Sequence, residues 1–133
     1  MFRKRFSTTY PEERGQSLVE FTVVLPILCL LLFGIIQFGI TFNNYISLTD
    51  AVRAGARKAA VSRNTFDPVG ATKSAVIASG GDISIVSADV TVTSDWQPGH
   101  DVQVQATHPY SINVMGLVIA SGLLKSQTIE RVE

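Results

Sequence analysis

The chain has one cysteine, one tryptophan and two histidines among its 133 residues, and its formal charges cancel to zero. Each shortage excludes something. A lone Cys29 cannot form an internal disulfide, and inside an apolar run it reads as a small hydrophobe. Zero net charge gives no electrostatic field for nucleic acid. A metal centre needs about three converging ligands. His100 and His108, with Asp101 beside the first, supply no third ligand. Gly-rich phosphate loops, a nucleophile elbow and paired cysteines are all missing, so no catalytic residue, no metal and no cofactor is expected, and an enzyme has little to stand on.

What is present is unevenly distributed. Between Glu20 and Asp50 no residue carries a formal charge, and residues 21–42 are mostly Leu, Ile, Val and Phe. A bilayer core needs about 20 such residues as a helix. A cleavable secretory signal has a shorter apolar region, of about 7 to 15 residues, ending at a small-residue site. Ala54-Gly55-Ala56 lies too far past the run to be that site, and Leu28 before Cys29 argues against lipid attachment. Arg3, Lys4, Arg5 and Arg14 lie before the span, while Arg53, Arg57 and Lys58 lie further from its other end. This bias favours a cytoplasmic N-terminus, with the rest of the chain outside.

Residues 1–14 are basic and polar without apolar periodicity, and read as a disordered leader. One helix is expected from Gln16 to about Ser62, tolerating Pro26 because membrane helices do. It would be roughly 70 Å long, of which only about 30 Å fits in hydrocarbon. The remainder is an amphipathic stalk with Tyr45, Leu48, Val52, Gly55 or Ala56, and Ala59 on one side. Ala51, Ala54, Gly55, Ala56, Ala59 and Ala60 let another element approach closely. A second helix follows, with Asp67 as N-cap, Pro68 first, Gly80-Gly81 as the stop, and Val69, Thr72, Val76 and Ser79 facing inward.

From Asp82 the period becomes two. Ile83 and Ile85, then Val90 and Val92, alternate with polar residues, and the parity shift demands a turn or bulge near residues 87–89. Pro98-Gly99 suits the centre of a type II turn, with Val102, Val104 and Ala106 returning as a hairpin partner. The stretch "PYSINVMGLVIASGLL" is expected to pack under the sheet as a connection, and "KSQTIERVE" to form a last strand. The expected fold class is therefore α+β: a long membrane-spanning helix continuing as a stalk, with a small antiparallel sheet and short helix packed on it. Its divisions are 1–15 leader, 16–42 transmembrane helix, 43–63 helix extension and 64–133 small extracytoplasmic domain. So small an outer domain should lean on the stalk.

Glu20 is the residue that calls for an explanation. A carboxylate at the bilayer centre costs at least about 2.5 kcal/mol. Near the cytoplasmic edge it could simply snorkel to the headgroups. Gly15 offers another reading, because a residue without Cβ lets the backbone open into a narrow cleft. Cleavage after Gly15 would leave an α-amine on Gln16, with Glu20 as fifth residue. Neighbouring helices could then pair carboxylate with amine and so fix register.

The segment "RGQSLVEFTVVLP" resembles the leader of TadE-like proteins, minor pseudopilins of the tight-adherence (Flp, type IVc) pilus system. Gly15, Gln16-Ser17-Leu18-Val19, Glu20 and Phe21 fit the prepilin-type site position by position. The likeness continues through Pro26 and "FGIIQFG", where Gln37 stands at a position often acidic in the family, and more loosely to "DAVRAGARKAA" and "SQTIERVE". The resemblance implies a pilin-like structural component in the bacterial inner membrane. Its partners would be a prepilin peptidase, other pilins or pseudopilins through the N-terminal helix, the pilus assembly platform and membrane lipid. Gly15 and Gln16 would be the scissile pair, Glu20 the recognition and pairing carboxylate, and Phe21 a contact in peptidase or bundle. An uncleaved signal-anchored binding or accessory protein is the alternative.

Overall fold

The structure, a computed structural model, describes residues 12–114 and 116–133. Helix α1, Glu12–Ala60, runs without interruption through Pro26. It begins before the expected Gln16, so residues 12–15 are helical where a disordered leader was expected; the rest of that leader, residues 1–11, lies outside the described residues. Pro26 leaves the Thr22 carbonyl without its helical N–H. The Thr22 hydroxyl meanwhile donates to the Leu18 carbonyl at 2.7 Å. From Leu18 to Phe42 the large apolar side chains are exposed, as a lipid-facing helix requires. The helix is long and apolar enough to cross a membrane.

Beyond this span one face of α1 becomes the floor of a core. Leu48, Ala51, Val52, Ala56 and Ala59 are fully buried. Tyr45, expected on this face, is exposed, because the covering elements leave it open. Helix α2, Pro68–Ala78, crosses above Gly55. The Asp67 carboxylate caps it by accepting from the Gly70 N–H at 2.8 Å, satisfying one of the otherwise unpaired first-turn donors. Thr72 and Val76 are buried on its inner side, whereas Val69 and Ser79, assigned inward from the sequence, face solvent. The helix stops before Gly80, and Gly81 takes the left-handed conformation at φ 60° that glycine adopts without strain.

The sheet has three antiparallel strands in the order β1-β2-β3. These are β1, Val90–Thr93, β2, Asp101–Val114, and β3, Leu117–Arg131. Ile83 and Ile85 are buried in alternation but precede the ladder. A short 3-10 turn at Ser87–Asp89 absorbs the parity shift between Ile85 and Val90. Val90 pairs with Ala106 and Val92 with Val104, as the alternation required. The His100 N–H donates to the Gln97 carbonyl at 3.0 Å across Pro98-Gly99, with Gly99 at φ 83°, which is the geometry of a type II turn.

The stretch from Pro109 to Leu124 departs from expectation. It does not pack under the sheet; it is the continuation of β2 and β3 into a long hairpin, paired from Asp101↔Arg131 to Val114↔Leu117. Cross-strand pairing satisfies its backbone, so burial is not needed to form it. Its far end leaves Leu117, Val118, Ile119 and Leu123 exposed. At the near end, three backbone bonds close the domain. Val132 donates to the His100 carbonyl and its own carbonyl accepts from Gly99, both at 2.8 Å, and Glu133 donates to the Ala60 carbonyl at 2.9 Å. The last bond satisfies a carbonyl at the end of α1 that has no helical partner.

A Cβ placed on Gly55 would collide with a Val76 methyl. We expect Gly55→Leu to push α2 off the stalk and destabilise the outer domain by about 1–3 kcal/mol. Thermal unfolding in detergent measures this, and an unchanged midpoint would show that α2 does not need that contact.

Candidate functional site

The sequence-derived site residues all lie in the first turns of α1. Gly15, Gln16, Glu20 and Phe21 are exposed. The spacing of four brings Gln16 under Glu20, and the Gln16 Nε2 donates to Glu20 Oε1 at 3.1 Å. An added Cβ on Gly15 would meet nothing within 4 Å. No packing among the described residues therefore demands glycine there. The Gly15–Gln16 bond is helical, so any protease must first unwind this turn, and glycine, about 1 kcal/mol worse than alanine in a helix, lowers that cost. Glu20 meets no basic side chain in the ion pairs of the described residues.

Further along the span, the Thr41 hydroxyl donates to the Gln37 carbonyl at 2.9 Å, and Phe38 and Phe42 stack with centroids 6.3 Å apart. Cys29 is a free thiol in the same apolar stretch. Gln37 is half-covered on the face that leads to Asn44 and Leu48.

The histidines occupy separate places. His100 Nδ1 lies 2.6 Å from Asp95 Oδ2 on the exposed turn before β2. The His100 hydrogen bond, then the Gln97 N–H, hold the Asp95 carboxyl below its ordinary value. His108 sits on the inner face of β2 opposite Leu124. Its Nδ1 is shielded and has no hydrogen-bond partner among the described residues. No group of three or more His, Cys, Asp or Glu residues able to hold a metal ion occurs among the described residues.

With the helix and its exposed first turns in view, comparison with known proteins is informative. Residues 15–57 match the family model of the TadE-like proteins. Over this segment α1 is similar to that family. The match begins at Gly15, runs through the span and ends on the stalk at Arg57, so it takes in Glu20 and the small-residue face as far as Ala56, and leaves Ala59 and Ala60 outside. α2 and the sheet lie outside the matched residues. No curated protein and no solved structure matches the chain.

Two features of this region were not visible in the sequence: the Asp95–His100 pair and the helical state of the Gly15–Gln16 bond. The first joins residues across a turn whose geometry depends on Trp96 taking a left-handed φ of 58°, which nothing in its type announces. Because the folded Asp95 carboxyl titrates below its unfolded value, its contribution to stability is present above the ordinary carboxylate pKa. That contribution is lost as pH falls through the folded value. We expect His100→Ala to raise the Asp95 pKa toward its ordinary value and weaken this acid dependence. Carboxyl carbon shifts followed by NMR against pH would show it, and an unmoved titration would mean that His100 is not the cause.

Proposed function

We propose that this protein is a pseudopilin-like structural component for assembly of a tight-adherence pilus or related secretion apparatus. It is anchored by α1 in the cytoplasmic membrane with its N-terminus inside, and is matured by prepilin peptidase cleavage between Gly15 and Gln16. The observation that carries this reading is the family match starting at Gly15, joined to a continuous helix with Glu20 exposed one turn beyond Gln16.

The chemistry runs in three steps. The peptidase opens the first turn at Gly15, where the missing Cβ lowers the cost of leaving the helix and lets the backbone enter a narrow cleft. Hydrolysis of the Gly15–Gln16 amide then creates an α-amine with an ordinary pKa near 8, cationic at neutral pH. In a bundle of such helices the carboxylate of Glu20 pairs with the amine of a neighbour. A wrong register leaves a charge unpaired in a low-dielectric setting, costing about 3–5 kcal/mol. Phe21 adds an exposed aromatic surface beside this pair. The protein is a substrate and a building element, and no step asks its outer histidines to act.

The intact mass and N-terminal residue of protein extracted from membranes of a host with its own peptidase test the reading. The expected chain begins at Gln16, and Gly15→Phe should leave the leader attached. A wild-type chain still beginning at Met1 would favour an uncleaved signal-anchored accessory protein, with Glu20 as an interfacial carboxylate. Glu20→Ala is expected to be cut yet to fail in assembly, and unchanged piliation would remove the pairing argument.

A further inference from the structure

The place of the far end of the β2–β3 hairpin follows from where the hairpin is rooted. Glu133, just after β3, bonds the Ala60 carbonyl at the last residue of α1. Both β2 and β3 pack on α1. About 23 Å back along β3, Leu124 still packs on the core that α1 lines from Leu48 to Ala59. Since α1 ends at Ala60, strands rooted there that continue to pack on it must run back toward its lipid end. The covered stripe of α1 agrees, for Leu48 is followed on the same face by half-covered Asn44, Thr41 and Gln37. The inner face of β2 also stays covered, from half-buried Tyr110 and Ile112 to Val114 at 5% exposure. From Leu124 the hairpin continues about another 23 Å to Leu117, so it is long enough to pass the roughly 27 Å of α1 from Ala60 back to Phe42 and bring its tip to the outer part of the apolar span.

The tip is built for that location. Leu117, Val118 and Ile119 are 73%, 62% and 66% exposed in succession, and Leu123 is 67% exposed. Three consecutive strand residues cover both faces, so the patch wraps the tip. No Asp, Glu, Lys or Arg occurs from Val102 to Leu124. A contiguous patch of this kind marks an interaction site rather than ordinary surface scatter.

We propose that residues 117–119, with Leu123, insert into the headgroup region of the outer leaflet of the bilayer that α1 spans, giving the outer domain a second contact with lipid. Depth is limited by the backbone. β1 pairs only with Gln103–Ala106, so from Thr107 onward one edge of β2 and the outer edge of β3 are unpaired. Each unpaired group costs several kcal/mol in hydrocarbon, which stops the hairpin at the interface while its side chains reach inward. With no charge on the tip, insertion is apolar and independent of salt.

The test uses the full chain with Trp96→Phe, carrying either Val118→Trp or Leu32→Trp, in vesicles of phosphatidylethanolamine and phosphatidylglycerol. The Leu32→Trp chain reports whether α1 is in the bilayer. The expected result is blue-shifted Val118→Trp emission, quenched more strongly by lipid brominated near the headgroup than by lipid brominated near the chain end. It should be unchanged by salt or by dilution of protein in lipid. Solvent-like emission quenched by acrylamide, with Leu32→Trp quenched by lipid, would overturn the proposal. So would protection that vanishes on dilution, which would assign the patch to a second copy. If the Trp96→Phe background fails to fold, a spin label at Ile119→Cys in a Cys29→Ala chain gives the same decision, with oxygen accessibility exceeding that of a water-soluble relaxant if the tip is in lipid. Neither readout depends on cleavage after Gly15.

Discussion

Everything beyond residue 60 is assembled on a strip of small side chains along one face of α1. Ala51, Gly55, Ala56 and Ala59 let α2 and the sheet come within van der Waals reach of the helix, and Gly55 leaves room for Val76 and no more. Larger residues would hold the covering elements away, and the valines of β2 would lose their contacts. The same helix, a few turns earlier, turns large apolar side chains outward on all sides. One element therefore serves two solvents, and the change from bulky to small residues marks where lipid-facing surface gives way to protein-facing surface.

Two closures depend on this strip. The C-terminal residues return to the end of α1, where Glu133 caps Ala60 and Val132 is tied on both sides to the turn before β2. Helix end, turn and last strand thus share one backbone network. At the other end the long hairpin lies back toward the membrane side. Movement of α1 within a bundle would consequently be felt by the outer domain as a whole. That arrangement suits a structural component whose N-terminal helix makes the contacts.

Much of this was legible because it rests on local chemistry. Asp67-Pro68 announces a helix start, Pro98-Gly99 a type II turn, and the parity change between Ile85 and Val90 a break, which is a 3-10 turn. The alanine-rich face of the stalk identified the core before any partner was known. What misled was context. Apolar residues around Val118 were expected to pack under the sheet as a connection, whereas cross-strand pairing lets them stand exposed. Val69 and Ser79 have helical spacing compatible with burial, but the way α2 crosses Gly55 covers only Thr72 and Val76. The candidate site was readable as a residue pattern at Gly15, Gln16, Glu20 and Phe21. Its helical geometry was not, since glycine is a poor helix former and gives no sign of a helix that begins before it.

The dependence of the outer domain on the stalk can be measured by comparing chains that begin at residue 43 and at residue 64, by circular dichroism and thermal unfolding. The first retains the small-residue face and should unfold cooperatively with α2 and the sheet intact. The second keeps every strand but lacks that face, and should show no cooperative transition. A folded, cooperative chain from residue 64 would contradict the account, because the sheet and α2 would then form a core without the helix on which they are said to rest.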